Sequence, residues 1–183
     1  MRWRDMKTNI ALIGFMGTGK SAAGEMLALR LGKKFIETDA VIEERAGKTI
    51  TAIFRQDGER WFRHLEHEVI KDAALQENTV IACGGGAVLN SVNMEALRRN
   101  SVIVYLAAAP SVIIRRLATG GNRRPLLDVP DRAVRVKAML EERKPLYERA
   151  ADIKINTTHL SVEALVGQIM RELAAYEAKN MQK

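Results

Sequence analysis

The chain has 183 residues, 47% of them hydrophobic, and a formal net charge of +7. That length suits one compact domain, expected to span residues 1–183. No apolar run is long enough to span a membrane, and no signal-peptide core follows the charged start Met1–Lys7. Cys83 is the single cysteine and cannot form an internal disulfide, which suits a reducing, cytoplasmic setting. The positive charge suits an anionic partner. Because aromatics make up 5% and the basic residues are scattered, small anions are expected, not nucleic acid or membrane.

In chain order, Asn9–Ile13 (NIALI) reads as a buried strand, followed by a glycine-rich turn, Gly14–Gly19. Ala22, Ala23, Met26, Leu27 and Leu31 recur at helical spacing, which predicts a helix over Lys20–Leu31 stopped by Gly32. A second short strand begins at Phe35 and ends near Asp39; helical turns over Val41–Ala46 are closed by Gly47. Thr49–Arg55 predicts a short helix that Gly58 breaks. Trp61–Leu75 predicts a longer amphipathic helix with Phe62, Leu65, Val69 and Ala73 on one face. Thr79–Cys83 (TVIAC) is a third strand, with Gly84, Gly85 and Gly86 directly after it.

Ser91 caps a helix that runs to Arg99, and Val102–Leu106 is a fourth strand. Pro110 opens a helix over Ser111–Leu117. Thr119–Pro130 breaks the regular pattern and reads as a long loop, of the kind that often serves as a lid. Asp131 caps a helix to about Arg143, where Pro145 interrupts it. Ile153–Ile155 is a weak fifth strand, and Ser161 caps a final helix to about Ala178. Strands alternating with helices predict an α/β fold: a five-stranded parallel sheet with helices on both faces. Ligands of such sheets sit beyond the carboxyl ends of the strands. The glycine clusters after the first and third strands should share that edge.

Gly14-Phe15-Met16-Gly17-Thr18-Gly19-Lys20-Ser21 matches the phosphate-binding pattern G-x-x-x-x-G-K-[ST], between a strand and a helix as it must be. Glycines let the backbone curl so that successive N–H groups face phosphate oxygens, and the following helix adds its positive end. Gly14, Gly17, Thr18, Gly19, Lys20, Ser21 and Ala22 are therefore the expected ATP-binding residues. Lys20 is expected to reach the β- and γ-phosphates, and the Ser21 hydroxyl to ligate Mg²⁺.

Other features concern an acceptor. Asp39, in Glu37-Thr38-Asp39, is a carboxylate that can hold a metal-bound water or take a proton from a hydroxyl; its plainer reading is a helix cap. Arg63 and Glu66 share a helix face, so Glu66 can orient Arg63 to grip a carboxylate; the plainer reading is a surface ion pair. Gly84, Gly85 and Gly86 let a ligand lie against the backbone. Arg143 precedes the Pro145 break, and Arg123-Arg124-Pro125-Leu126-Leu127 places an arginine on the long loop, where it can neutralise a transferring phosphoryl group.

In order and spacing these motifs resemble the shikimate kinase family, over about Ile10 to Ile155. The resemblance implies the nucleoside-monophosphate-kinase type of P-loop fold, with a substrate-binding insertion over about 38–66 and a lid over about 119–131. It implies ATP and Mg²⁺ as cofactors. It implies shikimate as acceptor, phosphorylated on its 3-hydroxyl on the route to chorismate and the aromatic amino acids. Asp39 would bind the hydroxyl and act as base, with Lys20 and Arg124 on the phosphates. Arg63 and Arg143 would hold the carboxylate, Gly84–Gly86 would support the ring, and Glu66 would brace Arg63. Phe54 and Phe62 would line the pocket. A monomer is expected.

The chain departs from the family pattern at Glu37, where aspartate is usual, at Ala118, where an adenine-facing arginine is common, and at Asn156 and His159. Rival readings are a gluconate or nucleoside-monophosphate kinase, a non-catalytic nucleotide-binding module and a basic nucleic-acid binder. Asp39 and Arg124 speak against the non-catalytic module.

Overall fold

The computed structural model describes residues 7–119 and 131–181. Its central strand, β1 (Asn9–Ile13), is buried along its whole length. Ile10 and Leu12 enter one apolar layer and Ala11 and Ile13 the other, as the two-residue period of a strand requires. A strand buried on both faces reads as a continuous apolar run, and helices must cover both of its sides. β2 (Lys34–Glu37), β3 (Thr79–Ala82), β4 (Ser101–Ala107) and β5 (Ile153–Asn156) complete a parallel sheet in the order β2-β3-β1-β4-β5. Ala11 pairs with Ile81 on one side and Ile103 on the other.

On one face, α1 (Lys20–Leu31) and α8 (Val162–Met181) bury Leu27, Leu165 and Ile169 against Leu12 and Val104. Covering the other face are α4 (Gly58–Ala74), α5 (Ser91–Asn100), α6 (Pro110–Thr119) and α7 (Arg132–Ala150), which contribute Ile70, Leu97, Ile113 and Tyr147. Each fully buried Leu or Ile of these layers stabilises the fold by roughly 1.5–3 kcal/mol. A third, smaller cluster, Ile42, Ile53, Phe62 and Val69, joins α2 (Thr38–Ala46) and α3 (Ile50–Gln56) to α4. It fixes these helices beside the carboxyl ends of β2 and β3. No helix among the described residues is long and apolar enough to cross a membrane.

Several local expectations change. β2 ends at Glu37, so Asp39 lies in the first turn of α2 and not on the strand. The buried stripe of α4 is Phe62, Glu66, Val69 and Ala73; Leu65 is only half-buried. On α1, Ala28 is buried and Ala22 faces outward. Asn90, not Ser91, caps α5, its Oδ1 accepting from the Val92 N–H at 3.0 Å. A 3₁₀ turn at Ala87–Leu89, not anticipated, links the glycine run to that cap. Asp131 precedes α7 but makes no side-chain cap bond.

Pro145 does not interrupt α7, which continues to Ala150. A proline inside a helix costs about 3 kcal/mol. Here Arg143, Tyr147 and Ala150 are all buried on one face, and that packing outweighs the loss. The expected lid, with Arg123 and Arg124, falls outside the described residues apart from its two ends, Thr119 and Asp131.

Candidate active site

The two glycine clusters do share an edge, because β1 and β3 are neighbours. Between them runs a cleft of about 330 Å³. Its nucleotide side is backbone. Gly14 has φ +143°, and a Cβ there would stand 2.3 Å from the Leu106 carbonyl oxygen, so only glycine fits between the loop and β4. The Thr18 hydroxyl donates to the Phe15 carbonyl at 2.8 Å and tightens the curl. Lys20 opens α1 and is 9% exposed. Its ammonium donates to the Gly14 and Phe15 carbonyls at 2.8 and 3.0 Å, lying over the loop whose N–H groups would face a phosphate.

Beside it, the Ser21 hydroxyl donates to the Glu37 carboxylate at the end of β2. A hydroxyl and one carboxylate are hard oxygen donors of the kind Mg²⁺ takes. Mg²⁺ bound to a nucleotide usually keeps waters and phosphate oxygens as its other ligands. The two residues therefore fit such an ion, although no group of three metal-binding side chains occurs among the described residues. The added methylene of Glu37 does not stop its carboxylate from meeting Ser21.

The acceptor side is built from side chains. A Cβ on Gly84 would stand 2.5 Å from Asp39 Oδ1 and 3.0 Å from Glu66 Oε1. Two carboxylates thus converge where the third strand ends, and any side chain at Gly84 would displace them. A Cβ on Gly86 would stand 2.0 Å from Arg63 Nη1. These glycines do more than admit a ligand: they make room for the site's own side chains. Thr38, unremarked in the sequence, accepts the Gly84 N–H at 2.9 Å and ties the glycine run to the start of α2.

Glu66 is 1% exposed and accepts from Arg63 Nη1 at 2.8 Å. Burial pushes its carboxyl above the usual range; Arg63 works against that shift, and nearby Asp39 reinforces it. Burial also opposes the Arg63 charge. Glu66 outweighs it, with help from Glu59, so the guanidinium is held above its ordinary pKa. Arg63 is thereby a fixed cation at the pocket wall, next to Phe62, with the Phe54 ring tilted against Phe62 at 4.8 Å between centroids.

Arg143, 5% exposed, completes the wall from α7. It lies over the Phe15 ring at 5.9 Å and donates to the Gly85 carbonyl at 3.4 Å. Its Nε finds no hydrogen-bond partner among the described residues, nor does Glu66 Oε1. Buried polar atoms left this way suit a ligand that supplies the missing bonds. The Tyr147 hydroxyl donates to the same Gly85 carbonyl at 2.5 Å, and burial holds its pKa above the ordinary value. Tyr147 sits one turn after Arg143 on the same buried face of α7, which runs on through Pro145. Cys83 lines the cleft, but burial pushes its thiol up to about 12, which keeps it protonated and unreactive near neutrality.

The structure brings Lys20, Ser21, Asp39, Arg63, Gly84–Gly86 and Arg143 around one cleft. Arg124 lies outside the described residues. Of the positions that depart from the family pattern, Ala118 and His159 are exposed, and Asn156 is taken up in a local turn, its Oδ1 accepting from the Thr158 N–H at 3.0 Å.

The shikimate kinase family model matches residues 16–174. The chain belongs to the shikimate kinase family. Among relatives, the shikimate kinase of Symbiobacterium thermophilum is 45% identical over 90% of this chain and 95% of its own length. That of Burkholderia lata is 41% identical over the full length of both. Among solved structures, a shikimate kinase from Acinetobacter baumannii in complex with shikimate superposes with TM-score 0.89 at 33% identity, covering 93% of this chain and 95% of that one. A Sinorhizobium meliloti gluconokinase shares the fold alone, at TM-score 0.61 and 20% identity. Membership of the shikimate kinase family makes the chain an ATP-dependent phosphotransferase and sets aside the gluconate-kinase and non-catalytic readings.

Proposed function

We propose that this chain transfers the γ-phosphoryl group of ATP to the 3-hydroxyl of shikimate, giving shikimate 3-phosphate and ADP on the route to chorismate. The observation that carries the reading is the meeting of one carboxylate, Asp39, with two guanidinium groups, the half-buried Arg63 and the buried Arg143, beside the phosphate loop. The acceptor is a small acid with ring hydroxyls. Its carboxylate suits the two arginines, since planar guanidinium groups grip carboxylates in paired hydrogen bonds. Asp39 then faces a hydroxyl and takes its proton as the oxygen attacks the γ-phosphorus. The bond from that phosphorus to the β-bridging oxygen breaks, and ADP leaves.

Phosphoryl transfer asks the protein for positioning and charge stabilisation more than for covalent chemistry. The loop amides and Lys20 supply charge stabilisation on the nucleotide side. Ser21 and Glu37 would hold Mg²⁺, which when bound neutralises phosphate charge. Gly84–Gly86 let the acceptor ring approach the backbone, and Phe54 and Phe62 exclude water from its edge. We further propose a cytoplasmic monomer with one kinase domain, in which residues from about 38 to 66 form the acceptor-binding segment.

A coupled ADP-release assay tests this. ADP should appear on adding shikimate and not on adding gluconate. Equal rates with both acids, or none with shikimate, would sink the reading.

A further inference from the structure

One carbonyl of the glycine run has two donors within reach and a full bond from only one of them. The Gly85 carbonyl accepts from the Tyr147 hydroxyl at 2.5 Å, while Arg143 Nη1 stands at 3.4 Å. The first is a strong hydrogen bond and the second is close to the limit of one. A buried carbonyl must find a donor, and a charged guanidinium makes a stronger bond than a neutral hydroxyl. Without the hydroxyl, Arg143 is therefore the group that would turn to Gly85. With it, the Arg143 Nε stays without a hydrogen-bond partner among the described residues, although the side chain is 5% exposed.

The hydroxyl is itself held in place. The Tyr147 ring is 1% exposed and stacks on Tyr105 of β4, with centroids 5.0 Å apart and planes 16° from parallel. Burial raises the pKa of the hydroxyl, and neighbouring Arg143 only partly offsets this, so the group keeps its proton and remains a donor. Gly85 is fixed from its other side too: a Cβ there would stand 3.3 Å from the Met16 nitrogen and 3.7 Å from the Gly14 carbonyl oxygen, against the phosphate loop.

We infer that Tyr147 is a positioning residue for the acceptor's carboxylate. By taking the Gly85 carbonyl, it leaves the Arg143 guanidinium available to grip the acid. The role rests on the acceptor reading above, and it predicts that a hydroxyl which need not touch the acceptor governs how well its charge is recognised.

Steady-state kinetics with shikimate and with shikimate methyl ester test it, on the wild type, Tyr147→Phe, Arg143→Lys and the double variant. The ester keeps the ring hydroxyls and loses only the negative charge. In Tyr147→Phe the acid-over-ester ratio of kcat/KM should fall about three- to tenfold, the worth of one hydrogen bond, while the KM for ATP stays level. Because Tyr147 acts through Arg143, adding Tyr147→Phe to Arg143→Lys should lower the ratio no further. Loss of rate with acid and ester alike, with or without a lower unfolding midpoint, would make Tyr147 merely structural and overturn the inference. Two effects that multiply in the double variant would do the same. If Tyr147→Phe does not fold, Tyr105→Leu decides: it removes the ring on which Tyr147 stacks and should lower the ratio, whereas Tyr105→Phe should keep it. An unchanged ratio in Tyr105→Leu would then count against the role. A wild type with no preference for the acid would instead sink the carboxylate-site reading, and this inference with it.

Discussion

The two sides of the cleft are made from different materials. On the nucleotide side, one stretch, Gly14–Ser21, supplies a curled backbone, the Lys20 ammonium and the Thr18 and Ser21 hydroxyls. On the acceptor side, Asp39, Arg63 with Glu66, Gly84–Gly86 and Arg143 come from α2, α4, the turn after β3 and α7. A backbone cradle fits any nucleoside polyphosphate, because every chain has the same amides. Side-chain walls can instead be matched to one acceptor. Substitutions on the acceptor side should therefore separate into effects on turnover, on acceptor affinity and on geometry, each leaving ATP affinity nearly level.

The largest effect should come from Asp39→Asn. Removing a general base costs typically 10²–10⁴-fold in rate. The change is nearly isosteric and removes a like charge beside the buried Glu66, so the unfolding midpoint should not fall. Steady-state turnover undiminished in this variant would remove Asp39 from the chemistry.

The same contrast explains what could be read from the sequence. The phosphate loop is contiguous, so its eight residues, the strand before it and the helix after it are legible together. The parallel sheet and the shared sheet edge followed from the alternation of elements, while the strand order came only from the structure. On the acceptor side only types and order were legible; which atoms meet depends on tertiary packing. Tyr147 was legible as a residue but not as part of the site, because Pro145 suggested a break that core burial overrides. One signal was available and underused. Glu66 stands in the apolar stripe of α4 between Phe62 and Val69, and a buried carboxylate requires a partner.

Arg63 gives the next largest effect. Arg63→Ala would confound two losses, since it strands the buried Glu66 charge as well as removing the carboxylate grip. Arg63→Lys keeps a positive charge beside Glu66 but loses the planar fork. The acceptor KM should rise roughly 10–100-fold, the worth of one or two charge-assisted hydrogen bonds, while the KM for ATP changes little. Equal shifts in both constants would show that Arg63 supports the whole cleft and not the acceptor alone.

Gly84→Ala and Gly86→Ala probe the geometry. Each methyl group collides with a different side chain, at 2.5 Å from Asp39 Oδ1 and at 2.0 Å from Arg63 Nη1. Gly86→Ala should act like a milder Arg63 variant and raise the acceptor KM several-fold, because a guanidinium at the end of a flexible chain can swing away. Gly84→Ala should lower turnover, because it pushes the proposed base. Kinetics on the pair separate the two roles; identical profiles would mean that the glycine run acts as one rigid unit.

The smallest effect concerns Cys83, at the boundary between the two sides. Its thiol is raised from 9.0 to about 12 by burial, so the folded chain keeps a proton that the unfolded chain has released. The stability this contributes is fully present below pH 9.0 and is lost as pH rises toward about 12. The slope across that window is about 1.4 kcal/mol per pH unit for one proton. Lysines and tyrosines also titrate there, but they do so equally in Cys83→Ala. Denaturant unfolding of both proteins at pH 8, 9 and 10 should therefore show the wild type's advantage holding below about pH 9 and shrinking above it. In the same samples the native thiol should resist alkylation at pH 8 until the protein is unfolded. A stability gap that stays constant across the window, with ready labelling of the folded chain, would place Cys83 in contact with water and open the floor of the cleft.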